Sequence, residues 1–132
     1  MLDTSPKTIL IVDDNEVHRY ALSKVLKARG VEVLQAGNGA EARELIKQAP
    51  DLVLMDIHLP DVMGYGLLQE FRNNPATAGT PVILMSATEP APNARSAATS
   101  LGVKSFLTLP VVADDLWVTI QGAIRRQQHQ TG

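Results

Sequence analysis

"TILIVDDNEVHRYALSKVLKARGVEVLQA", Thr8 to Ala36, changes its hydrophobic period twice. Thr8 to Val12 is a continuous apolar run rich in β-branched residues, the pattern of a strand buried on both faces. From Asn15 to Arg29 the apolar residues Val17, Ala21, Leu22, Val25 and Leu26 fall on one helical stripe, and Gly30 stops the helix. Val31 to Ala36 returns to strand. A strand, a helix and a second strand form one crossover unit, which calls for a parallel pair joined right-handedly.

The alternation continues outward. Asn38 with Glu41 three residues on reads as a capping box. The helix behind it carries Ala42, Leu45, Ile46 and Ala49 until Pro50 ends it. Leu52 to Met55 is a third strand. Leu67, Leu68 and Phe71 mark a third helix, closed by Asn73-Asn74-Pro75. Pro81 to Met85 is a fourth strand. Asn93 is expected to cap a fourth helix with an inward face of Ala94, Ala97, Ala98 and Leu101, ended by Gly102. Val103 to Leu109 is the fifth strand. Leu116, Ile120, Ala123 and Ile124 stripe a last helix, with Asp114 and Asp115 in its first turn, where the helix dipole favours anions. Five β-α units predict an α/β, (βα)5 flavodoxin-like fold of three layers. Its five-stranded parallel sheet has the order 2-1-3-4-5. The expected division is an extension over 1–6, one domain over 7–127 and a polar tail over 128–132.

Composition narrows the function. The 132 residues suffice for one core. An apolar fraction of 45% with 20% charged residues is that of a soluble globular domain. A net charge of −2 argues against nucleic acid or an anionic membrane as partner. Cysteine is absent, which excludes a disulfide framework and thiolate metal sites and fits a cytoplasmic location. No signal peptide is evident, and no apolar run approaches the roughly 18 residues of a membrane span.

Sheets of this kind place their site at the carboxyl ends of the strands. Asp13 and Asp14 follow the first strand, Asp56 the third, and Ser86 and Thr88 the fourth. The first and third strands are neighbours in the expected order, so three carboxylates converge. Like charges so placed raise one another's pKa, and a divalent cation relieves them; hard oxygen donors suit Mg²⁺. A carboxylate beside Mg²⁺ can attack phosphorus, which makes Asp56 a candidate phosphoacceptor.

Four segments together resemble the response-regulator receiver domain, a CheY-like family, over roughly residues 7 to 127. They are "ILIVDD" (Ile9 to Asp14), "DLVLMDIHLPDVMGYGLL" (Asp51 to Leu68), "PVILMSA" (Pro81 to Ala87) and "GVKSFLTLP" (Gly102 to Pro110). The resemblance implies a single-domain two-component switch, phosphorylated on Asp56 by a sensor histidine kinase or phosphotransfer protein. It implies Mg²⁺ held by Asp14, Asp56 and the main-chain carbonyl of His58, with Asp13 acting partly through water. Ser86 would be the switch hydroxyl and Phe106 the switch aromatic. Such a receiver is a switch more than an enzyme, although it assists its own phosphorylation and dephosphorylation. A partner interface or homodimer is expected through the fourth helix, fifth strand and fifth helix, where Trp117 adjoins the apolar stripe.

One position departs from the family. The fifth strand of receivers ends in Lys-Pro, whose ammonium pairs with the phosphoryl oxygens; here Leu109 precedes Pro110. Lys104 lies about 16 Å back along an extended strand, and Thr108 points to the other face. His58, two residues past Asp56, is the one imidazole in the loop bordering the phosphoryl group and a candidate partial substitute. His18 and His129 are read as solvated. Leu109 also admits an alternative, a phosphorylation-independent scaffold. A small Mg²⁺-dependent phosphohydrolase would want a second carboxylate where His58 stands. A flavodoxin would want an uncharged phosphate loop where "DDNEV" stands.

Overall fold

The computed structural model describes residues 6–88, 90–103 and 105–131, with side chains through residue 125. In chain order the elements are β1 (Thr8–Val12), α1 (Glu16–Lys27), β2 (Glu32–Ala36), α2 (Gly39–Leu45), a 3₁₀ turn (Ile46–Gln48), β3 (Leu52–Asp56), α3 (Gly64–Asn73), β4 (Val82–Ser86), α4 (Pro92–Ser100), β5 (Phe106–Thr108) and α5 (Ala113–Thr131). The strands form one sheet in the order β2-β1-β3-β4-β5, and every pair is parallel. This is the flavodoxin-like (βα)5 architecture expected from the sequence.

The period of two sorts the strand residues between two apolar layers. Leu10, Val12, Val53, Met55 and Leu84 join Leu67, Leu68 and Phe71 on the α2–α3–α4 side. Ile9, Ile11, Leu52, Leu54, Ile83 and Met85 join Leu22, Leu26, Leu116 and Ile120 on the α1–α5 side. All six of those strand residues are fully buried, and each such side chain stabilises the fold by roughly 1.5–3 kcal/mol.

The helix ends follow local chemistry. Asn15 accepts the His18 amide at 3.0 Å and caps α1; Asn38 accepts the Glu41 amide at 2.8 Å and caps α2. Gly30 and Gly102 take φ of 84° and 89° behind α1 and α4, a conformation that glycine adopts without penalty.

Four expectations about elements need correction. Val17 and Ala21 do not face the core: Val17 is 74% exposed, and the buried side of α1 is Leu22, Ser23 and Leu26. Asn93 does not cap α4. The helix starts one residue earlier, with Pro92 at its first position, where a missing N–H costs nothing, and Asn93 accepts only the Ala94 amide. Ala97 is exposed, so α4 buries Ala98 alone. Finally, β5 is three residues long. The Val103 amide is used by Ala98 O at 3.1 Å in the helix stop, so pairing with β4 begins only at Phe106. The expected tail continues α5 to Thr131, and its Gln128 and Gln130 are good helix formers. Lys104 and the side chain of His129 lie outside the described residues. No helix among the described residues is long and apolar enough to cross a membrane.

Candidate phosphorylation site

β1 and β3 are adjacent, and their last residues bring three carboxylates together. Oxygen atoms of Asp13, Asp14 and Asp56 all lie within 4.8 Å of one another. The strand period explains the aim: Asp13 follows Ile9 and Ile11, and Asp56 follows Leu52 and Leu54, so both turn to the α1–α5 side. Asp13 is fully buried; Asp56 is half-buried. Burial pushes the Asp56 carboxyl above its ordinary range, and the charges of Asp13 and Asp14 push the same way. The His58 amide opposes them by donating to Asp56 Oδ1 at 2.8 Å. Asp13 Oδ1 accepts the Asn15 amide at 2.8 Å, while its Oδ2 has no hydrogen-bond partner. Hard oxygen donors, a carboxyl held above its usual range and an orphaned buried oxygen together fit a small divalent cation.

The loop after β3 answers why an apolar strand ends in "DIHLPDVMG". Gly64 starts α3 against the back of the loop: a Cβ there would meet Asp56 O at 2.6 Å and Ile57 Cα at 2.9 Å. Asp61 reaches across to the start of α2, accepting the Gly39 and Ala40 amides at 2.8 and 3.1 Å. Those two bonds hold its carboxyl below the usual range, that of Gly39 first. The loop after β3 is therefore tied at both ends, and His58 stands exposed on its rim.

Ser86 and Phe106 follow the opposite set of the strand period and lie towards α4. Ser86 is buried, its Oγ 3.4 Å from Thr88 Oγ1 and accepting the Thr88 amide at 3.2 Å. Phe106 is partly buried against the α2–α3–α4 layer, with the Arg95 guanidinium 4.3 Å from its ring centroid. A cavity of about 230 Å³ separates the two loops, lined among others by His58, Tyr65, Ser86 and Thr88. Leu109 falls to the α1–α5 side, where a lysine would face the carboxylates; instead it packs against that layer. With His18, Ala21, Val25 and Pro110 it lines an apolar groove of about 110 Å³ between α1 and the β5–α5 loop.

Three contacts escaped sequence reasoning. His18 is not simply solvated: its Nδ1 lies 3.4 Å from Asp13 Oδ2. The cap at Asn15, which turns the first helical residues back over Asp13, was the available signal. Thr88 holds the Ser86 hydroxyl through a local turn. Arg95 covers Phe106, a contact between elements that no local pattern announces. Trp117, read as a mark of the α4–β5–α5 surface, packs with the α1–α5 layer, its ring 5.1 Å from the Arg29 guanidinium.

Comparison with known proteins agrees with this geometry. The family model described as response regulator receiver domain matches residues 9–121. Protein PilH of Pseudomonas aeruginosa is 33% identical over 117 residues, covering 88% of this chain and 96% of that protein. The probable transcriptional regulatory protein TcrX of Mycobacterium tuberculosis is 32% identical over 126 residues, 94% of this chain; the chain spans about half, 52%, of that relative's length. A CheY-like response regulator receiver domain protein from Methanospirillum hungatei matches with a TM-score of 0.85 at 26% identity, over 94% of this chain and 98% of that one. Receiver domains are signalling switches that work with histidine kinases or phosphotransfer proteins, and they typically bind Mg²⁺ at an acidic pocket such as that of Asp13, Asp14 and Asp56. By the family match across nearly its whole length, the chain belongs to the response regulator receiver domain family.

Proposed function

We propose that Asp56 accepts a phosphoryl group from the histidine of a sensor kinase or phosphotransfer protein, and that the chain signals by the conformational change that follows. An Asp56 carboxylate oxygen attacks phosphorus in line, the phosphorus–nitrogen bond breaks, and the departing imidazole takes up a proton. The observation that carries this role is the convergence of three carboxylates at the carboxyl ends of β1 and β3. Asp14, Asp56 and the main-chain carbonyl of His58 would hold Mg²⁺, with Asp13 acting partly through water. Bound there, the ion would neutralise the cluster and stabilise the charge on the transferring oxygens.

Ser86 would leave Thr88 and turn to the phosphoryl group, freeing space beside Phe106. The α4–β5–α5 face would then pass the change to a partner or a second copy of the chain. Val17, Tyr20 and Val112 expose apolar side chains on α1 and the β5–α5 loop. The phosphodonor protein would dock over them to reach Asp56. The switch would act in the cytoplasm, on protein partners rather than nucleic acid or membrane, in keeping with the net charge of −2. It would also assist its own dephosphorylation, as the family does.

The test is intact-mass measurement after incubation with acetyl phosphate and Mg²⁺. One added phosphoryl group, lost in Asp56→Ala, is the expected result. A second reading, a scaffold that works unphosphorylated, is favoured by Leu109 alone; no mass gain from acetyl phosphate or from a cognate kinase would establish it in place of the first.

A further inference from the structure

We propose that His18 is a positioning residue for Asp13, supplying through Nδ1 the donor that Asp13 Oδ2 otherwise lacks. The inference rests on the reading of the acidic pocket as the phosphorylation site. Asp13 is fully buried, and only one of its oxygens is satisfied: Oδ1 accepts the Asn15 amide, and Oδ2 accepts nothing. A buried carboxylate oxygen without a donor is costly, and a protein retains one where a partner completes it. Facing it at 3.4 Å is His18 Nδ1, itself buried and without a hydrogen bond, although the side chain as a whole is 42% exposed. Two unpartnered polar atoms thus meet at 3.4 Å. Such contacts tighten when the site is loaded. A neutral imidazole suffices, since a carboxylate selects the tautomer with the proton on Nδ1.

Arg19, a nearby cation, is committed elsewhere. Arg19 donates to the main-chain oxygen of Asp13 at 2.6 Å and to Gln35 at 3.4 Å, so it braces the backbone rather than the carboxylate. His18 and Leu109 line the same groove. The imidazole therefore approaches Asp13 from the side on which the leucine offers only hydrocarbon. A donor from α1 thus meets Asp13 beside the groove that Leu109 lines, and it keeps Asp13 aimed at the pocket.

The chain is titrated calorimetrically with beryllofluoride, a phosphoryl analogue, in the presence of Mg²⁺. His18→Leu should weaken binding about ten-fold, the effect of one lost hydrogen bond to a charged group. His18→Asn, whose amide can reach the place of Nδ1, should stay within about three-fold of wild type. Equal affinity of His18→Leu and wild type overturns the inference, as does an Asn variant no better than the Leu variant. Nitrogen NMR of the imidazoles, without metal or analogue, reads the contact itself. His18 should carry its proton on Nδ1 and shift to Nε2 in Asp13→Ala; an Nε2 proton in wild type overturns the idea. Should wild type bind no beryllofluoride, the phosphoacceptor role fails, and the NMR result alone decides the contact.

Discussion

Leu109 takes an ammonium away from a pocket that gathers three carboxylates. An ammonium about 4 Å from a phosphoryl dianion would contribute up to roughly 4 kcal/mol per charge pair at an effective dielectric of 20, and desolvating the lysine offsets part of it. A net difference of about 1–3 kcal/mol corresponds to roughly ten- to a hundred-fold in rate or population. Leu109→Lys is therefore expected to raise the phosphorylated fraction at fixed acetyl phosphate and Mg²⁺, read by intact mass. Unchanged yield would show that the leucine is neutral. Asp56 gives a second prediction. Its folded pKa is raised, chiefly by burial, so the folded state binds its proton more tightly than the unfolded chain does. Ionising it then destabilises the fold, in full above the folded pKa and not at all below the ordinary carboxylate value. Asp56→Asn should melt higher than wild type at neutral pH without Mg²⁺, read by thermal unfolding. That gain should vanish as the pH falls into the carboxylate range. At this scale the acidic residues were legible because each ends an apolar strand. His18 was not, because its partner, Asp13, lies five residues back in the loop before α1, outside any helical period.

Elements were legible where periodicity is strong and capping is local. The buried strands and the caps at Asn15 and Asn38 could be read from residue types alone. α4 was harder because Ala, Ser and Thr give it almost no apolar contrast, and a proline one residue before Asn93 decided its start. β5 was overextended because Val103 looks like strand, yet its amide serves the stop of α4. Gly64 shows how an element junction governs the site. A methyl group there would meet backbone atoms of Asp56 and Ile57, which cannot yield without moving Asp56. Gly64→Ala should cost about 1–3 kcal/mol in denaturant unfolding, the usual range for overpacking. It should also lower acetyl-phosphate labelling by more than the loss of folded protein explains. Unaltered labelling of the folded fraction would separate the glycine from the site.

Across the whole molecule, the two apolar layers are unequal in grip. The sheet centre is held from both sides by fully buried Ile, Leu and Met, whereas α4 buries Ala98 alone and rests on a three-residue edge strand. Arg72 secures the end beyond α4 by donating to Leu101 O at 2.6 Å, and Arg95 lies over Phe106. Amide hydrogen exchange should register the contrast: α4 and β5 are expected to open by sub-global fluctuation, with protection about a hundred-fold or more below that of β1 and β3. Uniform protection would contradict it. Reversing a two-state population from 1:99 to 99:1 takes about 5.5 kcal/mol of differential binding, and a pocket without its lysine has less to give. A helix that surrenders only one alanine's burial in moving lowers that demand at the output end, so a weakened chemical input can still tip the ensemble.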